Sequence, residues 1–146
     1  LKMAVVERHK NTRHIGIGYL KGYGLKSGAV ATSVAHDSHN IICVGTNDED
    51  MAFAVNRIAR NRGGIVVVEN GQVLAELPLE IAGIISGKPL REVNALMEDA
   101  KKAAHALGVG TDIDPFMTLS FMSLPVIPTL RLTTRGVVDV NTQQYV

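Results

Sequence analysis

A chain of 146 residues, 46% apolar and 20% charged, carries enough apolar material for one packed domain and lies far from disordered or membrane-embedded compositions. Its 15 basic and 14 acidic side chains leave a net charge of +1 scattered along the sequence, with no sustained field for a phosphate backbone or an anionic lipid surface, so neither nucleic acid nor membrane partners are expected. No apolar run approaches the roughly 20 residues of a membrane span and no signal core follows Leu1-Lys2-Met3-Ala4, so a cytoplasmic setting is expected; the absence of Met at position 1 reads as a segment of a longer protein.

In chain order, residues 3–8, 15–23, 28–34 and 40–45 are short, β-branched or alternating, and separated by Gly, Asn or Ser, which predicts four strands before any helix. The lone Cys43 falls among β-branched residues of the fourth and is expected to be a small core residue without a disulfide. Thr46-Asn47-Asp48-Glu49 has the spacing of a capping box, with Thr46 as cap and Glu49 reaching back to it. Met51, Ala52, Val55, Ile58 and Ala59 then recur at helical spacing until Gly63-Gly64 ends the helix. Residues 65–77 read as a β-hairpin about Asn70-Gly71, the pair that best tolerates positive φ at both centres of a type I′ turn.

A second helix is predicted over 89–107, with Leu90, Val93, Leu96, Met97, Ala100, Ala104 and Leu107 as its apolar stripe, Pro89 in its first turn, Gly108 past its end and a Glu98–Lys102 surface pair. Residues 116–124 suit a short helix, Pro125 and Pro128 an extended path, and residues 131–140 one or two strands around Gly136. Strands first and helices later give an α+β class, with an antiparallel or mixed β-sheet and helices packed mainly on one side. Nothing linker-like divides residues 1–146, so one domain is expected.

The densest polar cluster is Ser33-Val34-Ala35-His36-Asp37-Ser38-His39-Asn40, between two predicted strands where a loop can present side chains. Three readings stand side by side. Two imidazoles flanking a carboxylate can ligate a metal, although a stable centre wants a third protein ligand and His9, His14 and His105 supply no matching motif. The cluster can instead hydrogen-bond a ligand or a neighbouring domain, or it can be a turn that satisfies itself. Ser33 and Ser38 lack a Gly-x-Ser-x-Gly elbow, which argues against covalent catalysis. Gly16, Gly18, Gly22 and Gly24 do not have the phosphate-cradling spacing and are expected to serve sheet twist or close approach. Glu7 and His9 alternate and so would share a strand face.

Residues 6–9 (VERH), 33–40 (SVAHDSHN), 44–51 (VGTNDEDM), 74–79 (LAELPL), 114–121 (DPFMTLSF) and 124–128 (LPVIP) together resemble, in the same order, the C-terminal domain of the adenine deaminase family of the amidohydrolase superfamily. The resemblance covers nearly the whole chain. It implies a hydrolase that converts adenine and water to hypoxanthine and ammonia in purine salvage, with a binuclear manganese or iron centre. In that superfamily the ligands, beginning with a His-x-His motif, belong to a preceding (β/α) barrel, and this sequence contains neither. No catalytic residue and no metal ligand are therefore expected among these residues, and the separate domain is expected to be inactive. The implied partners are the upstream barrel, adenine in the whole enzyme, and further copies in an oligomer. The resemblance makes His36, Asp37, Ser38 and His39 the candidates for supporting the active site at the barrel's mouth. The alternative is a free-standing ligand-binding or scaffolding module of the same fold; a small independent metal hydrolase is a third reading.

Overall fold

The computed structural model describes residues 1–146. Its strands are β1 (Lys2–Val6), β2 (Ile15–Tyr19), β3 (Ala29–Thr32), β4 (Ile41–Gly45), β5 (Gly64–Glu69), β6 (Gln72–Pro78), β7 (Leu130–Thr133), β8 (Gly136–Asp139) and β9 (Gln144–Tyr145). Its helices are α1 (Asp48–Arg60), α2 (Leu90–Ala106) and α3 (Pro115–Met122). Strands β1 to β6 form one sheet in the order β2-β1-β4-β3-β5-β6, and every neighbouring pair is antiparallel. It is three hairpins laid side by side. A smaller sheet, β7-β8-β9, packs its β7 and β8 against β2.

Period-2 alternation sends the two halves of each strand to opposite faces. Ala4, Ala29, Ala31, Cys43, Val66 and Val68 face α1, which buries Met51, Ala54 and Ile58 against them. Met3, Val5, Val30, Ile42, Val44, Ile65 and Val67 face the other way and meet Ala100 and Ala104 from α2, Leu107 at its C-terminal cap, and Phe116 and Leu119 from α3. Two of the three helices thus share a face, the α+β arrangement anticipated from the sequence. Cys43 is fully buried, and burial pushes its thiol well above the usual range.

The Asn70-Gly71 hairpin forms as expected, with φ of 51° and 71° at its two centres. Other local expectations are corrected. The cap of α1 is Asn47, not Thr46: Asn47 Oδ1 accepts the Asp50 amide at 2.8 Å, while the Thr46 hydroxyl donates to Gly28 O at 3.2 Å. Asp50 is itself buried and accepts the amides of Asn70 and Gly71, tying the start of α1 to the hairpin turn. In the α2 stripe, Leu90, the first residue of the helix, is 84% exposed, and Arg91 and Glu92 beside it are exposed as well. Lys102 lies nearer Asp99, at 3.9 Å, than the expected Glu98. Strand β2 stops at Tyr19, and Tyr23 is separately buried with its hydroxyl donating to Pro115 O at 3.0 Å.

Candidate functional site

The antiparallel registers bring three connections to one end of the large sheet: residues 7–14, residues 33–40, and residues 79–89 after β6. Chain reversal at residues 33–40 is built by local bonds. The His39 amide donates to Ala35 O at 2.7 Å, and the Ala35 amide donates to His39 Nδ1 at 3.3 Å. Desolvation holds the His39 imidazole below its ordinary value, and the charges of His36 and Arg8 push the same way against Asp37. A neutral ring suits its acceptor role.

His36 is held by contacts no local spacing discloses. Its Nδ1 lies 3.1 Å from Ser120 Oγ, and its ring stacks on Phe121 with centroids 4.9 Å apart and an interplanar angle of 8°. The single Ser120 hydroxyl proton goes to Met117 O at 2.7 Å, so Ser120 can only accept from His36. With Nδ1 engaged by Ser120, Nε2 is the ring nitrogen left without a protein partner. Asp37 and Ser38 stand exposed at the tip of the loop.

Arg8 connects all three loops. Its amide donates to Asn40 Oδ1 at 3.2 Å, its Nε to His39 O at 2.8 Å and its terminal guanidinium nitrogen to Ala82 O at 2.8 Å. Ser33, fully buried, donates to Gly83 O at 2.6 Å and accepts the Gly64 amide at 2.8 Å. Beside this polar cluster, Ile81, Ile84 and Ile85 leave an aliphatic rim exposed. His9 Nε2 lies 2.6 Å from Ser38 O. Glu7 and His9 do not share a strand face, because β1 ends at Val6 and the Glu7 carboxylate gathers the amides of His9, Lys10 and Thr12 into a turn. Desolvation would raise the Glu7 carboxyl, but the Thr12, Lys10 and His9 amides outweigh it and bring it down to about 2.

The four residues singled out from the sequence are thus together on one short loop, but their side chains serve different ends. His36 reaches across to α3, His39 braces its own turn, and Asp37 and Ser38 face solvent. Arg8, Ser120 and Phe121 were not singled out. The one available signal was that each falls inside a segment of the family resemblance. A binuclear metal centre does not fit these residues: no three His, Cys, Asp or Glu side chains converge, and His9, His36 and His39 each have a ring nitrogen bound to a protein group.

The structure is an antiparallel α+β fold whose loops gather histidines and an aliphatic rim at one end of the large sheet. The adenine deaminase C-terminal domain family matches residues 1–144, and the chain belongs to that family. It is 54% identical over 146 residues to an adenine deaminase of Nitratidesulfovibrio vulgaris (strain Hildenborough), covering 99% of this chain and 25% of that protein. An adenine deaminase of Bacillus subtilis (strain 168) is 47% identical over 146 residues, again with 25% of its length covered. Adenine deaminase 2 of Carboxydothermus hydrogenoformans is 52% identical over 141 residues, 97% of this chain and 25% of that protein. The chain spans about a quarter of the length of these relatives. No helix is long and apolar enough to cross a membrane.

Proposed function

We propose that residues 1–146 are the accessory C-terminal domain of a cytoplasmic enzyme of purine salvage that hydrolyses adenine to hypoxanthine and ammonia. The water-activating centre, binuclear manganese or iron, belongs to an amidohydrolase barrel earlier in the polypeptide. This domain supports it by presenting the loop of His36, Asp37, Ser38 and His39 toward the barrel's mouth. The observation that carries the reading is the clamping of His36 by Ser120 and Phe121, which holds its ring in one orientation with Nε2 unpartnered, at the end of the domain where the aliphatic rim is exposed. An imidazole so fixed gives a hydrogen bond to a purine N–H or to a barrel group without first losing rotamer freedom.

Ammonia release by the complete enzyme tests this. With His36→Ala, the KM for adenine should rise about tenfold, the equivalent of one hydrogen bond of about 1.4 kcal/mol. His39→Ala should give a smaller effect, since that ring acts on the loop rather than beyond it. Turnover and KM unchanged in both variants would remove the loop from the active site. The 146-residue chain by itself should release no ammonia, and measurable deamination by it would overturn the assignment of the chemistry to the barrel.

A further inference from the structure

Strand β2 forms one edge of the large sheet, and its exposed face is apolar. Gly16 and Gly18 face the small sheet, where a Cβ on Gly16 would come within 1.8 Å of Thr133 O. The residues between and beside them, Ile15, Ile17 and Tyr19, are 55%, 57% and 86% exposed on the opposite side. Backbone geometry leaves the same three residues open at the edge. Leu1 and Leu20 exchange both of their bonds, at 3.0 and 2.9 Å, which fixes the alternation along the β1–β2 ladder. Gly18 and Gly16 then bond to β1, while Ile15, Ile17 and Tyr19 turn their amides and carbonyls outward, where no strand pairs with them.

Proteins that expose a sheet edge to water ordinarily blunt it with proline, a bulge or an inward charge. This edge has none of them. It runs beside a groove of about 500 Å³ between β1, β2 and α1, with Ala4, Ile15, Ile17, Met51, Ala52 and Val55 among its lining. An open ladder next to an apolar trough is the arrangement that captures an extended segment by strand addition, the ladder giving affinity and the trough choosing the side chains.

We propose that a strand from the part of the longer polypeptide that precedes this domain pairs with the β2 edge and lays alternate aliphatic side chains into the groove. The relatives are about four times as long as the chain, and theirs is the C-terminal domain, so their additional length precedes it. In such a polypeptide the residue before Leu1 emerges beside Leu20, at one end of the open edge. Charge argues against a second copy as the occupant. Pairing two β2 strands about Ile17 would bring the start of one strand, preceded by Arg13, to the end of the other, followed by Lys21, and both cations are exposed. The same two cations favour an occupant with acidic residues flanking its aliphatic core. The proposal rests on the reading that a larger domain precedes this one, and is independent of the role given to His36.

Amide hydrogen exchange, followed by mass spectrometry on the 146-residue chain and on the full-length polypeptide, tests it. The amides of Ile15, Ile17 and Tyr19 should exchange rapidly in the short chain and at least about 100-fold more slowly in the long one. Ile17→Lys in the full-length protein should restore rapid exchange at this edge, while leaving the thermal transition of the short chain unchanged. Rapid exchange in both polypeptides overturns the proposal, as does protection in the short chain that grows with concentration, which would mean a second copy. A natural polypeptide with no preceding domain overturns this and the proposed function together; a preceding domain with unprotected edge amides overturns this proposal alone.

Discussion

Replacing Ser33 by alanine removes one hydroxyl and strands two backbone groups. Ser33 is fully buried, its Oγ donating to Gly83 O at 2.6 Å and accepting the Gly64 amide at 2.8 Å. Gly64 and Gly83 are themselves buried, so both partners lose their bonds away from the surface. A buried group left unpaired costs about 1–3 kcal/mol, and with partial relaxation of the two together the loss should be about 2–4 kcal/mol. For a chain of this length, that lowers the melting temperature by roughly 6–12 °C. Urea unfolding followed by far-ultraviolet circular dichroism should show the midpoint falling at an unchanged slope. Exchange of the Gly83 region should quicken, since residues 79–89 would then be held by Arg8 alone of the two side chains that now tie them. A stability loss below about 0.5 kcal/mol would refute the view that this hydroxyl joins the loops.

Gly16→Ala should displace the small sheet and unfold the chain at a markedly lower temperature. Gly22→Ala, where a Cβ meets nothing within 4 Å but φ is +86°, should cost only about 1 kcal/mol of backbone strain, and calorimetry of the pair separates the two causes. Asn47→Ala should destabilise the chain by about 1 kcal/mol in a denaturant titration, more than Thr46→Ala, reversing the order that the capping-box spacing suggests. The depressed pKa of His39 means that the unfolded chain binds this proton more tightly. Its contribution to stability is present above the ordinary value of 6.5 and is lost as pH falls through the lower folded value. His39→Gln should therefore flatten the fall in unfolding midpoint as pH is lowered below 6.5; an unaltered slope would mean that His39 does not brace the turn.

Features set by neighbouring residues were legible in the sequence. Asn70-Gly71 specified its own turn, and the short apolar, β-branched runs of β1, β3, β4 and β5 marked those segments as strands. The cap of α1 slipped by one residue because Thr46 and Asn47 can each cap a helix, and the choice falls to Gly28 O, which takes the threonine hydroxyl. Leu90 kept helical spacing with the buried stripe and is nevertheless exposed, since periodicity marks a helix face but not how far along it the packing extends. The loop of residues 36–39 was found because its polar residues are adjacent. Its geometry was not, since Ser120 lies 84 positions from His36, and Ala82 lies 74 from Arg8. Pairings of that range are decided by strand order, which hydrophobic periodicity does not encode.

The large sheet works as a partition with separately filled sides, mostly alanine, cysteine and valine under α1 and larger aliphatic groups under α2 and α3. Because side chains on the two sides do not touch, changes made on opposite sides should combine without interference. Successive mutations could therefore reshape the α1 side to suit a new neighbour while the packing that steadies His36 stays as it is.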